Sequence, residues 1–572
     1  MHSTERLGTP DINHLLEANM LVIPAKAGIQ RLRRPIETTR HWAPAFAGAT
    51  VRLFRALAFP CLLLGLVLPA QAAQQDRTAT YDPILDAVVA RYHLPGIALG
   101  VIEHGQVVYI STRGETVAGS GHRITPRTLF KIASNSKAMT TALLGRLVDE
   151  GKLHWDDPVT KYLPDFRMHD PWVTKNMRVA DLLTHSSGLP EGGGDLMLWP
   201  EPNAFTHADI IHGLAFIKPG YSFRSKYQYD NLLYVVAGEV AAAAGGAPYE
   251  TLMRREVFQP LGLDRCQVGQ WNRDAVGDVA EPHYREHGRN IPIREDGAVI
   301  PAITSAPAGG IRCDLDDMLT WARNWLAPTP AQLQWLSAQQ RHVLQSPHML
   351  IPVSGQRREW DHSHIMAYGY GWRMTDVDGT WTVWHTGTLG GMYSELMLLP
   401  DRQSGFVFMI NGEAGDARTV LGEVLLKHFT APDDTRGVTW HADELDRANK
   451  RATTRAAAPD ISAAKPVAPA ALATWIGRYR APWLGEMLLC PNNGRVHFAV
   501  AKSPKLSGDL MRLGNRDLVR WTDRNVAPDA WLDFHPAQGG QAATLTMAKV
   551  DPLGDFSSDY EDLHFTRTGD CP

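Results

Sequence analysis

The chain has 572 residues, of which 44% are hydrophobic and 21% charged, with 57 basic against 61 acidic side chains. This is a globular composition with apolar mass for roughly two to four domains. A net charge of −4 excludes the basic excess of a nucleic-acid binder and the long acidic tract of a solvating tail, so no nucleic-acid partner is expected.

Residues 51–72 read as a signal peptide. Arg52 and Arg55 precede an apolar run from Ala56 to Pro69, and Ala70-Gln71-Ala72 is a small-x-small cleavage site. The segment starts late, which makes Val51 a candidate translation start and residues 1–50 a non-native or disordered extension. The run is short for a membrane span. The processed protein is therefore expected to keep no stable span and to be periplasmic or secreted. Of five cysteines, Cys61 falls in this segment, leaving Cys266, Cys313, Cys490 and Cys571. Export permits disulfides among them, in a pairing the spacing leaves open. No Cys-x-x-Cys or His-Glu-x-x-His occurs, so neither a zinc site nor another cofactor is expected.

From residue 76 the pattern is mixed. Ile84, Leu85, Val88 and Val89 recur at helical spacing over 81–92. A hairpin follows, 97–103 and 107–113, turning through His104-Gly105. A helix is expected from Ser134 to about Glu150, stopped by Gly151. Two further helices are expected at 231–244 and 314–326, and residues 327–364 show no clear period. Strand-like runs at 369–374, 380–385, 394–399 and 405–411 follow on short connections, which implies antiparallel pairing, and a helix at 417–429 closes the region. The N- and C-terminal pieces of 76–430 would form one antiparallel sheet flanked by helices, with a helical subdomain between them, an α+β arrangement. Residues 431–469, ending in Pro466 and Pro469, read as a linker holding one helical stretch at 440–455. Residues 470–570 carry short strands and an Asn493-Gly494 hairpin turn, and read as a small all-β barrel or sandwich.

Three motifs carry chemistry. In Ser134-Asn135-Ser136-Lys137 a helical start puts an amine beside a hydroxyl, one way of making serine a nucleophile. In Tyr229-Asp230-Asn231 a phenol at a helix entrance, close to an ammonium, is expected to lose its proton more easily and to act as base and acid. Asn231 offers an amide to orient a substrate or hold Lys137, or merely a helix cap. His385-Thr386-Gly387 is read as the end of an aromatic-rich strand. There two side chains can donate to a substrate, and the glycine admits a close backbone approach.

In this order, and with Val179–Leu189, Lys218-Pro219-Gly220 and Pro307-Ala308-Gly309-Gly310-Ile311 as supporting segments, the chain resembles the class C β-lactamase-related family of β-lactamases, D,D-peptidases, D-aminopeptidases and esterases. The resemblance covers roughly residues 80–430, and the region after 466 resembles a β-domain often appended to such hydrolases. It implies the serine β-lactamase/penicillin-binding-protein-like fold. It also implies Ser134 as nucleophile, Lys137 as its activating amine, Tyr229 as general base and acid, and Asn231, His385, Thr386 and Gly387 around the substrate. The backbone N–H groups of Ser134 and Thr388 would form the oxyanion hole. Two departures stand out. His385 replaces the lysine of true class C β-lactamases, which weakens recognition of a β-lactam carboxylate. Asp230 replaces a residue that is often small.

The expected activity is that of a secreted serine hydrolase acting through an acyl-enzyme on an ester, amide or D-amino-acid peptide, with efficient β-lactam hydrolysis less favoured. The expected partner is a small-molecule or short-peptide substrate. The alternative is a penicillin-binding or sensor-type protein that acylates without efficient turnover. A lipase-like triad is disfavoured, because no Gly-x-Ser-x-Gly elbow occurs.

Overall fold

Alternating side chains along two central strands divide the hydrolase region into two cores. The structure, a computed structural model, describes residues 77–293, 296–526, 528–537 and 542–572; the expected extension 1–50 and signal segment 51–72 lie outside the described residues. The sheet has eight strands: β1 (Gly96–Glu103), β2 (Gln106–Gly114), β3 (Met349–Leu350), β4 (Met366–Tyr368), β5 (Arg373–Val377), β6 (Thr380–Leu389), β7 (Met392–Leu399) and β8 (Ser404–Ile410). Their order is β2-β1-β8-β7-β6-β5-β4-β3, with antiparallel pairing throughout. The first and last parts of the region thus meet at the β1–β8 pair.

Because successive strand residues face opposite sides, Ile97, Leu99 and Val101 join Phe406 and Phe408 in one core, while Ala98 and Ile102 join Val407 and Met409 in the other. The first core is covered by α1 (Thr78–Tyr92) and a C-terminal helix, Gly415–Thr430. The second receives the helical subdomain: α2 (Ser136–Asp149), α3 (Leu232–Gly245) and α4 (Leu315–Leu326). Helix α2 is buried along almost its whole length, the pattern of a central helix rather than a surface one. At Gly100 a Cβ would stand 2.7 Å from a Leu319 methyl, so glycine there lets α4 lie flat on the sheet.

Residues 327–364, without visible period, hold short helices at Pro330–Trp335, Ala338–Leu344 and Gly355–Trp360, each opened by a Thr or Ser cap. In the stretch read as a linker, Val438–Arg455 is helical and buries Val438, Ala442 and Leu445 in the core beneath α1. Numbering the C-terminal helices α5 (Gly415–Thr430) and α6 (Val438–Arg455), the packed part of the connection belongs to the hydrolase side.

The C-terminal region is a closed barrel of eight antiparallel strands: β9 (Gly477–Ala481), β10 (Gly485–Asn492), β11 (Arg495–Val500), β12 (Ser503–Leu513), β13 (Arg516–Trp521), β14 (Ala530–His535), β15 (Thr544–Lys549) and β16 (His564–Gly569). Each pairs with the next, and β16 returns to β9, so the barrel has no free edge. β12 and β13, unmarked by the sequence pattern, complete the circle. The barrel is no pendant. Val467, Trp483, Leu484 and Met487 belong to the same continuous core as Met197 and Phe205 of the helical subdomain.

The cysteines pair as Cys266–Cys313 and Cys490–Cys571, the second closing a separation of 81 residues across the barrel. A cross-link over a loop of that length removes enough unfolded-state entropy to be worth up to about 4 kcal/mol. The C490S/C571S variant is expected to unfold at lower denaturant concentration than the oxidised parent by a corresponding amount; equal midpoints would show that the bridge contributes nothing.

Candidate active site

The nucleophile motif is held by a strained turn. The chain arrives from the short strand Phe130–Lys131, paired with Arg312–Cys313, and passes Ala133 at φ 48°. It then makes one 3₁₀ turn, Ala133–Asn135, before α2 begins. A non-glycine residue at positive φ stores roughly 1–3 kcal/mol and persists only where its surroundings fix it. Here β6 and β7 do so. Ser394 Oγ donates to the Ile132 carbonyl at 2.8 Å and accepts from Asn135 Nδ2 at 2.8 Å. A Cβ on Gly387 would lie 2.2 Å from that same carbonyl oxygen. The strand does not end at Gly387, as read from the sequence, but runs on to Leu389. The glycine is where the nucleophile turn rests on it.

Ser134 Oγ accepts hydrogen bonds from Lys137 Nζ at 3.0 Å and from the Tyr229 hydroxyl at 2.9 Å. Lys137 is fully buried. Its Nζ also reaches Asn231 Oδ1 and the Ala308 carbonyl, both at 2.8 Å. Burial pulls its pKa down to about 7; nearby Asp195 and Asp230 oppose this, and Arg373 adds to it. The amine is thus poised between its charged and neutral forms at neutral pH.

Tyr229 behaves opposite to expectation. Burial pushes its phenol well above the usual value, and neither Arg373 nor the bond to Ser134 offsets that. The group is therefore a proton donor at rest, not a ready phenolate. The sequence led to an expected ammonium near this phenol but could not show that water is excluded. Asp230 points inward: its Oδ2 accepts from Ser187 Oγ at 2.9 Å, and burial raises its pKa to about 7. His185, from the supporting segment 179–189, accepts the Asp230 N–H at 3.2 Å and lies against the Tyr229 ring, centroids 4.1 Å apart.

Asn231 occupies the cap position of α3 but makes no capping bond. Its amide is spent on Lys137 and, through Nδ2, on Asp195 Oδ2 at 2.8 Å. It holds the amine with its oxygen and spends one of its two N–H donors on Asp195, while the residue also lines the cavity over Ser134. His385 departs from the donor role expected of it. It is buried, with Nε2 3.0 Å from the Tyr368 hydroxyl and Nδ1 2.7 Å from the Thr386 carbonyl. Burial, with Arg373 and Lys137 nearby, keeps the imidazole neutral, its pKa well below the usual range.

The positive charge at this end of the site comes from a residue the sequence reading missed. Arg373 on β5 stands opposite Trp384 of β6. Its guanidinium is 3.4 Å from Thr386 Oγ1 and 5.6 Å from the centre of the Tyr229 ring. Among the described residues no carboxylate lies within ion-pair distance of it, and its Nε has no partner. Asp195 was missed as well.

A cavity of about 690 Å³ opens over Ser134, lined by Tyr229, Arg373, His385, Thr386 and Thr388 on the hydrolase side and by barrel residues that include Phe556. Of the side chains expected at 134, 137, 229 and 385, Ser134, Tyr229 and His385 line this cavity and Lys137 is buried behind Ser134, 3.0 Å from its Oγ.

Residues 81–431 match the Beta-lactamase family model. The chain is 25% identical to unguisins hydrolase ungD' of Aspergillus campestris, over 66% of this chain and 70% of that one. It is 26% identical to Penicillin-binding protein 4 of Amycolatopsis lactamdurans, over 60% and 90%. Against the Beta-lactamase of Escherichia coli (strain K12) the identity is 24%, over 62% and 94%. In three dimensions it resembles the octameric penicillin-binding protein homologue from Pyrococcus abyssi, with a TM-score of 0.53 at 18% identity, covering 86% of this chain and all of the other.

The contact between Gly387 and the nucleophile turn yields a sharp expectation. Gly387→Ala must displace Ile132–Ala133 and with them Ser134. A displacement on the order of 1 Å is expected to cost about a hundredfold in kcat/KM, measured on an activated ester, with the overall fold intact by circular dichroism.

Proposed function

The chain belongs to the beta-lactamase family of serine hydrolases, and we propose that it turns over an acyl-enzyme on Ser134, from an ester, amide or D-amino-acid peptide carrying a carboxylate near the scissile bond. The observation that carries this is the seat of Ser134 Oγ between Lys137 Nζ and the Tyr229 hydroxyl.

The proton movements follow from the pKa directions. Neutral Lys137 takes the Ser134 proton as Oγ bonds to the substrate carbonyl carbon. Tyr229 gives its proton to the departing alcohol or amine as that bond breaks. In deacylation a water loses its proton to the Tyr229 phenolate and attacks the acyl carbon. Ser134 Oγ then leaves with the proton held by Lys137, and both groups return to their starting states. The N–H groups of Ser134 and Thr388, on the wall of the same cavity, are suited to the developing oxyanion; each such donor typically contributes about 3 kcal/mol. Preference for a carboxylate is supported by Arg373, whose guanidinium lies between Thr386 and the Tyr227 hydroxyl with no carboxylate partner among the described residues, and which supplies the charge that His385 lacks. A planar guanidinium suits a bidentate grip on a carboxylate. The names of the relatives, a penicillin-binding protein and a β-lactamase among them, accord with this chemistry. Action outside the cytoplasm, expected from residues 51–72, is supported by the two disulfides.

Ser134→Ala is expected to abolish labelling by an acylating probe and to lower ester hydrolysis by at least about 10³-fold; turnover at the parent rate would refute the reading. A stoichiometric burst with no steady-state rate in the parent would instead make it a penicillin-binding or sensor-type protein.

The pH profile checks the base. Lys137 is charged below about pH 7 and neutral above it. The neutral amine is the active form, so kcat/KM should rise with pH through that region to a plateau; a profile flat from pH 5 to 9, roughly the span over which a base of this pKa is titrated, would rule Lys137 out as base.

For Arg373→Ala, kcat/KM on D-alanyl peptides with a free carboxylate should fall about ten- to hundredfold, the value of one charged hydrogen-bonded contact. The fall on a neutral p-nitrophenyl ester should be clearly smaller. Equal losses on both would remove carboxylate recognition from the reading.

A further inference from the structure

The loop that joins the last two barrel strands reaches the catalytic lysine through two intermediaries. Ser557 Oγ donates to Asp195 Oδ2 at 2.8 Å. The same oxygen accepts from Asn231 Nδ2 at 2.8 Å, and Asn231 Oδ1 accepts from Lys137 Nζ at 2.8 Å. Two residues on, Asp559 accepts the backbone N–H of Gly194 at 2.5 Å and that of Leu196 at 3.2 Å, gripping the segment that presents Asp195. Between these contacts the Phe556 ring stands edge-on to the Tyr229 ring, centroids 5.8 Å apart, and lines the cavity over Ser134.

The hydrolase side is shaped to receive this loop. At Gly192, where φ is +71°, a Cβ would lie 2.6 Å from the Phe556 carbonyl oxygen. Only glycine combines that φ with that approach. Asp195 is wholly buried and Asp559 nearly so. Burial pushes the Asp195 carboxyl up to about 8 and that of Asp559 well above its usual range, so the two sit there as hydrogen-bonding groups rather than as a pair of charges.

We infer that the barrel loop Asp555–Asp559 completes the active centre. Ser557 is a positioning residue that acts through Asp195 and Asn231 on the Lys137 amine, and Phe556 is the wall that limits the size of the acyl group beside Tyr229. This rests on the acyl-enzyme reading above and adds to it a specificity element supplied by the second domain.

Lys137 is faced by Asp195, by Asp230 and His185, by the rings of Tyr229 and Tyr234, and by Arg373. Asp195 is faced by Lys137, Asn231 and, from the barrel, Asp555, Ser557 and Asp559. The bond from Ser557 favours the Asp195 carboxylate, but burial outweighs it and pushes that carboxyl up to about 8. Through the Lys137 titration near 7 Asp195 is therefore mostly protonated, and Ser557 acts on the amine by geometry, through Asp195 and Asn231.

The test uses the full-length protein, with Ser134→Ala as reference. Ser557→Ala is expected to lower kcat about tenfold with little change in KM, as for a displaced base. Ser557→Thr, which keeps the hydroxyl, should restore kcat. Phe556→Ala is expected to raise the ratio of p-nitrophenyl octanoate to p-nitrophenyl acetate hydrolysis. Parent-like kcat in Ser557→Ala, a rise in KM that accounts for the loss, or a loss of kcat that tracks a lower melting temperature and is not restored by Ser557→Thr, would overturn the positioning role. An unchanged ester ratio in Phe556→Ala would overturn the wall. Either result alongside an inactive Ser134→Ala leaves the nucleophile assignment standing, whereas an active Ser134→Ala would fail the underlying reading itself.

Discussion

The burial of the Lys137 amine is the constraint around which this hydrolase is arranged. Moving the pKa from 10.5 to about 7 corresponds to on the order of 5 kcal/mol against the ammonium relative to water. The site tolerates this because each possible N–H has an acceptor: Ser134 Oγ, Asn231 Oδ1 and the Ala308 carbonyl. Those acceptors come from three separate parts of the chain, and bringing them to one nitrogen fixes much of the subdomain. Helix α2 must sit between α3 and the Pro307–Gly310 turn. Thr140 reinforces the same packing, with its hydroxyl bonded to the Pro307 carbonyl at 2.8 Å. The nucleophile turn must in turn rest on β6, which is why a glycine stands at 387.

Much of this was legible because it is written locally. Ser134 and Lys137 are one helical turn apart, Tyr229 and Asn231 open a helix, and Gly387 lies in a strand, so each motif carries its own geometry. The sheet was legible too, since β6, β7 and β8 follow one another on short turns. What could not be read depends on surroundings. The direction of the Tyr229 shift is decided by exclusion of water, and water exclusion belongs to the assembled site rather than to any run of residues. His385 could be placed, but that Tyr368 and the Thr386 carbonyl take up its ring nitrogens is a tertiary fact. Arg373 is an ordinary polar residue on an alternating strand until β5 is laid beside β6. Asp195 lies in a glycine-rich stretch with no period at all. The short helices between 327 and 364 escaped a search for long periodicity, although Thr329, Ser337 and Ser354 were readable as caps.

The exchange of charge between positions 385 and 373 is coherent in physical terms. An ammonium at 385 would stand within a few ångströms of Lys137 and Arg373 in a site with little water, and mutual repulsion would depress all three. A neutral imidazole avoids that. It still satisfies the Tyr368 hydroxyl and lets a single guanidinium act as the fixed cation. Burial and neighbouring aromatic rings do not threaten that guanidinium, which keeps its proton where a lysine would lose it. In the proposed reaction this gives two basic groups separate duties: one amine that changes state and one cation that does not.

The two domains also share more than a boundary. Trp483 of the barrel packs within 3.3 Å of the Cβ position of Gly213, and the Lys502 carbonyl accepts the Ala204 N–H at 2.7 Å. A single apolar core runs from the helical subdomain into the barrel. Removing the barrel would expose that core and take away the Asp559 carboxyl that receives the Gly194 and Leu196 N–H groups. The segment so freed is the one that carries Asp195. The same contacts that stabilise the domain junction therefore help to place the groups around the Lys137 amine, so interdomain stability and the geometry of this site are coupled.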